Sequence, residues 1–287
     1  MQNKPQIGIV GLGFVGKSMK RLFGDSAVTY DVADGASGRS KINMCDVAFV
    51  SVPTPVADDG ACDTSIVEEC VGWIETPQIV LRSTVTPGTT ERLRRQTGKA
   101  IIFQPEYIGE TAAHPLVDAR KHDFIILGGP TAETSAVANL YAHYYHSSVH
   151  FYFTDSTTAE VAKYMENSFY ATKVTFCNEF YDIARAHGVD YNELREVWLA
   201  DPRISRDHTF VYPENRGFSG KYLPKDVIAI LHSSAEHNFE PPLLKSVMDI
   251  NEAHRADDPT YAPYRPFDLL RAVSMVEPRK GKRHGRS

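Results

Sequence analysis

The chain has 287 residues, enough for one large domain or two modest ones. A hydrophobic content of 42% and a charged content of 23% are those of an ordinary globular protein, and a net charge of −5 argues against general nucleic-acid binding by its body. Cys45, Cys62, Cys70 and Cys177 form no C-x-x-C pair and no metal-ligand spacing, and neither a leader nor an apolar span is visible, so the expectation is a reduced, cytoplasmic protein with no metal and no membrane contact.

Gln6–Val10 is a short apolar run of buried-strand type. G-L-G-F-V-G follows at Gly11–Gly16, K-S-M-K-R-L-F continues in helical spacing, and a second strand, Ala27–Tyr30, ends at Asp31. Strand, G-x-G-x-x-G, helix, strand and acid in that order spell a dinucleotide site. Gly11 makes the tight turn, Gly13 lets backbone approach a pyrophosphate, and Gly16 permits close helix–strand packing. Phe14 and Val15 complete the turn at the helix N-terminus, whose free N–H groups and positive dipole end suit phosphates. Asp31 would bind the adenosine ribose hydroxyls, which favours NAD over NADP. A glycine-rich turn that binds nothing is the alternative. Residues 32–44 read as a short loop.

Asp46–Val52 is the next strand and leads into Pro53-Thr54-Pro55. Cys62–Glu75 is an amphipathic helix, Ile79–Arg82 a strand, and Ser83–Thr90 opens another helix. Ala100–Phe103 is a strand followed by Gln104-Pro105-Glu106-Tyr107-Ile108-Gly109-Glu110, and Phe124–Leu127, a helix and a last strand at Val149–Tyr152 complete the series. Strands alternating with helices predict an α/β, Rossmann-like, doubly wound and mostly parallel sheet over residues 1–155. Ligands in such sheets lie past the carboxyl ends of the strands. Val52, Pro53, Thr54, Ser83 and Thr84 are therefore expected at the cofactor, with Glu106 at the fifth strand end and Glu110 further along the same loop.

The stretch from Thr157 to His187 contains no proline or glycine, and Gly188 after it reads as a left-handed stop. Thr157 with Glu160 three residues later reads as a capping box. Val161, Met165, Phe169, Phe176, Phe180, Ile183 and Ala184 recur at helical steps. Such a helix predicts the spine of an all-helical domain over residues 156–255, crossing a second copy of itself in a homodimer. Lys163 and Asn167 lie one turn apart on it, and a solvated pair is the plain alternative to a functional one. Residues 256–287 are proline-rich and then basic, ending R-K-G-K-R-H-G-R-S, with a short helix predicted at Phe267–Met275. This tail is expected to be solvated and mobile, or to touch nucleic acid or an anionic surface.

Several motifs in order resemble the UDP-glucose/GDP-mannose dehydrogenase family of nucleotide-sugar dehydrogenases: G-L-G-F-V-G, V-P-T-P, S-T-V-T-P-G-T-T, P-E-Y-I-G-E-T-A, A-E-V-A-K-Y-x-x-N-S-F, D-P-R-I and G-F-S-G-K-Y-L-P-K-D, over roughly residues 5–255. The resemblance implies oxidation of a sugar C6 hydroxymethyl group to a carboxylate with two NAD per turnover. It implies that Asp226 and Lys163 act on the alcohol through an ordered water, that Asn167 and Thr84 steady that network, and that Glu106 is an acid/base. Tyr107, Ile108, Phe218, Gly220 and Lys225 fall in the substrate-binding motifs, and Arg203 matches an arginine that crosses a dimer interface to the neighbour's substrate. Asp226 as a helix cap and Arg203 in a surface ion pair remain the plain alternatives.

Three departures qualify this. Tyr222 stands where the family carries its nucleophilic cysteine, and a phenol is a poor substitute for a thiolate. Cys177 lies 14 residues past Lys163, about 21 Å along the same helix, and does not take over. The segment from Asp31 to Cys45 is short, which trims the sheet edge beyond the second strand, and the expectation is a chain without the family's C-terminal nucleotide-binding domain. The expectation is an NAD-dependent enzyme on a nucleotide sugar or related sugar alcohol, limited to one hydride transfer. A redox-neutral, epimerase-like enzyme and an NAD-binding dimeric scaffold without turnover are the rivals.

Overall fold

The computed structural model describes residues 5–109 and 118–256. These form two compact units: the first runs up to Pro55 and again from Cys62 to Lys163, and the second takes Val56–Ala61 and the chain from Tyr164 onward.

The first unit is built on seven strands: β1 (Ile7–Val10), β2 (Ala27–Tyr30), β3 (Val47–Val50), β4 (Gln78–Leu81), β5 (Ile101–Phe103), β6 (Phe124–Gly128) and β7 (His150–Thr154). Their spatial order is β2-β1-β3-β4-β5-β6-β7. All neighbours are parallel except β5 and β6, which meet antiparallel with Phe103 opposite Gly128. Side chains alternate across a pleated sheet, so each strand feeds both layers. Ile7, Ile9, Phe49, Val80 and Ile102 pack with Met19, Leu22 and Phe23 of α1 (Phe14–Phe23) and with Val137 and Tyr141 of α5 (Thr131–Tyr141). Val10, Val50, Ile79, Leu81 and Phe103 pack on the other face with Ile42 of α2 (Gly35–Ile42), Val67 and Val71 of α3 (Ser65–Trp73) and Leu93 of α4 (Thr89–Thr97). Burial on both faces is why these strands are near-continuous apolar runs.

Residues 32–44 are not a loop. A 3-10 turn at Val32–Asp34 leads into α2. The composition G-A-S-G is poor for a helix, but a Cβ at Gly38 would press to 2.7 Å on the Tyr30 ring, so glycine lets α2 lie close on β2. β2 is the sheet edge, as the trimmed segment implied. The helix expected over Cys62–Glu75 is shorter at both ends, at Ser65–Trp73.

The second unit is helical. α6 (Ser156–Ala186) has 31 residues and starts in the first unit; α7 (Tyr191–Trp198), α8 (Leu223–Glu236) and α9 (Pro242–Arg255) follow. Ala171 of α6 packs with Val227, Ile228 and Leu231 of α8 and Val247 and Met248 of α9; Cys177 and Ala184 pack with Tyr191 of α7. Ala184 therefore faces inward, whereas Val161, Met165, Phe169, Phe176, Phe180 and Ile183 are exposed. Gly188 stops the helix at φ +70°.

The cap of α6 differs from the expected box. Asp155 Oδ1 accepts the Thr158 N–H at 2.8 Å and its Oδ2 accepts the Thr158 hydroxyl at 2.6 Å. Glu160 turns away, to the start of α4. A capping box and a long-range cap share one sequence pattern, and packing of α6 on the sheet selects the second. The predicted tail helix and the rest of residues 257–287 lie outside the described residues, as does Glu110.

Candidate active site

In the first unit the glycine turn has the geometry of a phosphate cradle. Gly11 sits at φ +89°, and a Cβ there would approach the Ser51 carbonyl to 2.6 Å. A Cβ on Gly16 would run into the Gly11 carbonyl, so only glycine lets α1 close on the turn. Gly13 is the N-cap of α1, gives no side-chain cap, and has open space where a Cβ would stand; the first turn of α1 holds no acid. Uncapped N–H groups beside open space suit a pyrophosphate. Phe14 and Val15 begin α1, and Val15 packs against the sheet. Asp31 ends β2 with its carboxylate fastened to the turn: Oδ2 accepts the Leu12 N–H at 2.9 Å and Oδ1 the Val32 N–H at 2.8 Å. These residues fit a dinucleotide with its ribose at the acid.

The loops after β3 and β4 are laced together. Ser83 Oγ donates to the Val52 carbonyl at 2.7 Å, and Thr54 Oγ1 donates to the Thr84 carbonyl at 2.7 Å. Pro53 between them is exposed. At the end of β5, Glu106 is buried; one oxygen pairs with Arg82 and the other accepts the Ile108 N–H at 2.5 Å. Burial works against the Arg82 charge, but the Glu106 carboxylate, with Tyr141 and Tyr145, holds it and raises its pKa. Burial also pushes the Tyr141 phenol up to about 12, while its hydroxyl donates to Gln104 at 2.5 Å. Lys163 Nζ lies 5.0 Å from the Tyr107 ring centroid, within cation–π range.

In the second unit Asp226 is fully buried inside the first turn of α8. It does not cap the helix: its N–H already donates to the Tyr222 carbonyl, and its carboxylate is shared between Asn167 Nδ2, at 2.5 Å, and Lys225 Nζ. Tyr222 precedes α8 and is 38% exposed. Gly220 sits at φ +89° with open space at its Cβ position. Phe218 is buried, and Asn251 grips its backbone at two points, accepting its N–H at 2.6 Å and donating to its carbonyl at 3.0 Å. Asn178 Oδ1 accepts the Gly217 N–H at 3.1 Å and the Arg216 Nε–H at 2.6 Å. Arg203 lies apart, exposed and forked onto Asp201.

The structure thus gathers Glu106, Tyr107, Ile108 and Lys163 in one unit and Asn167, Asp226 and Lys225 in the other. It adds Arg82, Asn178 and Asn251, which motif reading passed over, and it takes Glu160 from the expected local box to Gly88 and Thr90. Arg82 carried a signal, since a charge closing the apolar run Q-I-V-L demands a buried partner.

A dinucleotide cradle in a doubly wound α/β unit, continued by helices built on one long spine, defines the class. Residues 32–145 match the NAD binding domain, and residues 157–253 the central domain, of the UDP-glucose/GDP-mannose dehydrogenase family. The chain belongs to this family, and the residues that match its NAD binding domain lie largely in the first unit. The UDP-glucose 6-dehydrogenase of Pseudomonas aeruginosa is 31% identical over 221 residues, covering 70% of this chain and 47% of that protein. The structure of a UDP-glucose dehydrogenase from Pyrobaculum islandicum superposes with a TM-score of 0.75 at 25% identity, covering 88% of this chain and 69% of that one. A 3-hydroxyisobutyrate dehydrogenase of Mycobacterium tuberculosis shares the fold, with a TM-score of 0.67 at 16% identity over 96% of this chain and 99% of that one. The chain spans about half the length of the curated relatives it matches. Among the described residues no helix is long and apolar enough to cross a membrane.

Proposed function

We propose that the protein is an NAD-dependent oxidoreductase that takes one hydride from a CH–OH carbon of a nucleotide sugar or related sugar alcohol. The observation that carries this reading is the Asp226 carboxylate, wholly buried and yet held by Asn167 and Lys225. Burial of a carboxylate is costly unless it is paired, and a fixed carboxylate next to a cation suits proton transfer. NAD, when bound, supplies the hydride acceptor. Asp226 takes the alcohol proton through a water, Asn167 fixes the oxygen not engaged by Lys225, and Lys163 steadies the developing alkoxide. Thr84 and Ser83 hold the cofactor edge, aided by Val52, Pro53 and Thr54. Glu106, held by Arg82 and the Ile108 N–H, anchors the Tyr107–Ile108 strip in this reading.

The second oxidation requires an adduct on the aldehyde. All four cysteines are buried, Cys177 among them between α6 and α7. Tyr222 offers only a phenol at the family's nucleophile position. The product is therefore the aldehyde, or an epimer where the hydride is returned. Cys45, Cys62, Cys70 and Cys177 are buried and not in disulfides, which fits a reducing compartment such as the cytoplasm. The exposed stripe of α6 supports a homodimer, with Arg203 serving the partner's substrate.

The test measures NADH released per sugar consumed, with mass analysis of the sugar, over a panel of sugar nucleotides. One NADH or fewer with an aldehyde or epimer is expected. Two NADH and a uronic acid would remove the single-step reading, and the absence of both NADH and isotope exchange at the carbinol carbon would remove the enzyme.

A further inference from the structure

The chain between α7 and α8 is gripped at residues 215–218 by two helices of the second unit. From α6, Asn178 Oδ1 accepts the Gly217 N–H at 3.1 Å and the Arg216 Nε–H at 2.6 Å, and one turn on Asp182 takes the Arg216 fork at 3.0 and 2.8 Å. From α9, Asn251 Oδ1 accepts the Phe218 N–H at 2.6 Å and its Nδ2 donates to the Phe218 carbonyl at 3.0 Å. One turn on, Arg255 donates to the Arg216 carbonyl at 2.8 Å and to Asn215 at 2.9 Å. Each helix thus brings an asparagine and, a turn later, a charged side chain. Gly217 between them sits at φ +73°, and a Cβ there would press to 2.4 Å on Asn251 Oδ1.

Asparagine is a poor residue for a helix interior, yet both of these amides stand in helices and both are buried. Apolar packing does not call for them. Phe218 is already plugged into the cluster of Ala171, Val227, Ile228, Val247 and Met248, which fixes where the loop sits. The amides add direction, because hydrogen bonds to a peptide's N–H and carbonyl fix its plane. Beyond the grip the chain changes character. Ser219, Gly220 and Lys221 are exposed, and among the described residues their N–H groups donate to no protein acceptor. Gly220 holds φ +89° with open space where a Cβ would stand. Further on, the Asp226 carboxylate has its own partners, Asn167 and Lys225, which take no part in the grip.

We propose that Asn178 and Asn251 are positioning residues of the substrate site: they fix the peptide planes of Gly217 and Phe218, so that the N–H groups of Ser219, Gly220 and Lys221 are preset for the oxygens of a polar ligand. The inference rests on the reading of Phe218 and Gly220 as substrate-site residues and adds how that loop is held. A loop that must be ordered when the ligand arrives loses affinity, and a loop ordered beforehand does not. Releasing the grip therefore raises KM and leaves kcat, because Asp226 keeps its partners.

The decisive variant is Asn178→Ala, which frees the Gly217 N–H while Asp182 and the Asn178 carbonyl still hold Arg216. Asn178→Asp keeps an acceptor for Gly217 and Arg216 and is the conservative control. Two measurements use the whole chain. Tryptic cutting after Lys221 without ligand, followed by mass analysis, should be at least about tenfold faster in Asn178→Ala than in the parent and within about twofold of it in Asn178→Asp. Calorimetry with UDP-glucose as the probe and NAD present should show affinity weakened at least about tenfold in Asn178→Ala and less than about threefold in Asn178→Asp. NAD affinity should not change, and the turnover loss should fall on KM. Equal cutting rates in all three chains, equal affinity losses in both variants, or a loss confined to kcat would overturn the proposal. Asn251→Asp keeps the acceptor for the Phe218 N–H and loses the donor to its carbonyl; it should repeat the signature even where Asn178→Ala does not fold. A parent and variant that differ in cutting while neither binds any sugar nucleotide would support the preset loop and remove the substrate reading.

Discussion

Asp31 and its neighbours are proposed to select the nucleotide. Its carboxylate is pinned to the glycine turn, and Asp34 stands three residues on with its own carboxylate on the Asp31 N–H. A 2′-phosphate would meet two acids. Arg39, the nearby cation, is engaged with Glu69 at 2.6 Å and with the Tyr30 hydroxyl, and it stacks on Trp73. NAD is therefore expected to bind at least about tenfold more tightly than NADP, a difference of about 1.4 kcal/mol; equal affinities in calorimetry would take Asp31 out of this role. On the proposed chemistry, in which Asp226 is the base, Asp226→Asn should lower kcat by about 10²–10⁴-fold and leave NAD affinity unchanged, since it keeps the shape. A loss confined to KM would point instead to substrate binding. Tyr222→Cys is the complementary change: it should raise the NADH yield per sugar above one, and an unchanged yield would show that the thiol is not what the second step lacks.

At the scale of elements, the loop before α8 is held by helices far away in sequence. Asn251→Ala would strand the Phe218 N–H and carbonyl in a buried place, at a cost of about 1–3 kcal/mol. Chemical denaturation should register that loss, and an unfolding free energy equal to the parent's would show that another group can take over. α6 sets the second expectation at this scale. Met165, Phe169, Phe176, Phe180 and Ile183 leave an apolar stripe open along it, with Met165 75% and Phe169 59% exposed. A stripe of this length, about 27 Å, needs cover. Light scattering should give a dimer at micromolar concentration and a monomer for the double variant Phe169→Asp, Phe176→Asp. A monomeric parent would remove the dimer and the role of Arg203 with it.

For the molecule as a whole, Glu160 links stability to pH. Its folded-state pKa of about 7 lies above the ordinary 4.5. The folded form then binds the proton more tightly, so its contribution is full below 4.5 and is lost as pH rises through about 7. The loss is about 3 kcal/mol at most. The gap in unfolding free energy between Glu160→Gln and the parent should shift by that order, in favour of the variant, from pH 5 to 7.5. A gap that stays constant would show that the carboxyl is not buried in solution.

By itself the sequence determined the parts whose physics is local. Apolar runs of strand length gave the sheet, because strands buried on both faces must be apolar throughout. G-x-G-x-x-G with Asp31 gave the cradle, because turn, helix end and acid lie within one βαβ stretch. The uninterrupted run before Gly188 gave α6. Tertiary structure alone decided the rest. Residues 35–42, within the stretch read as a loop, are helix, and Gly38 lets that helix lie close on Tyr30. Glu160 left the local box its pattern suggested for an amide 70 residues away in sequence. Glu106, expected as an acid/base, met Arg82, 24 residues earlier, and Asn251 met Phe218, 33 residues earlier. In each case a buried polar group must find a partner, and which partner depends on the elements that packing brings alongside, which spacing along the chain does not encode.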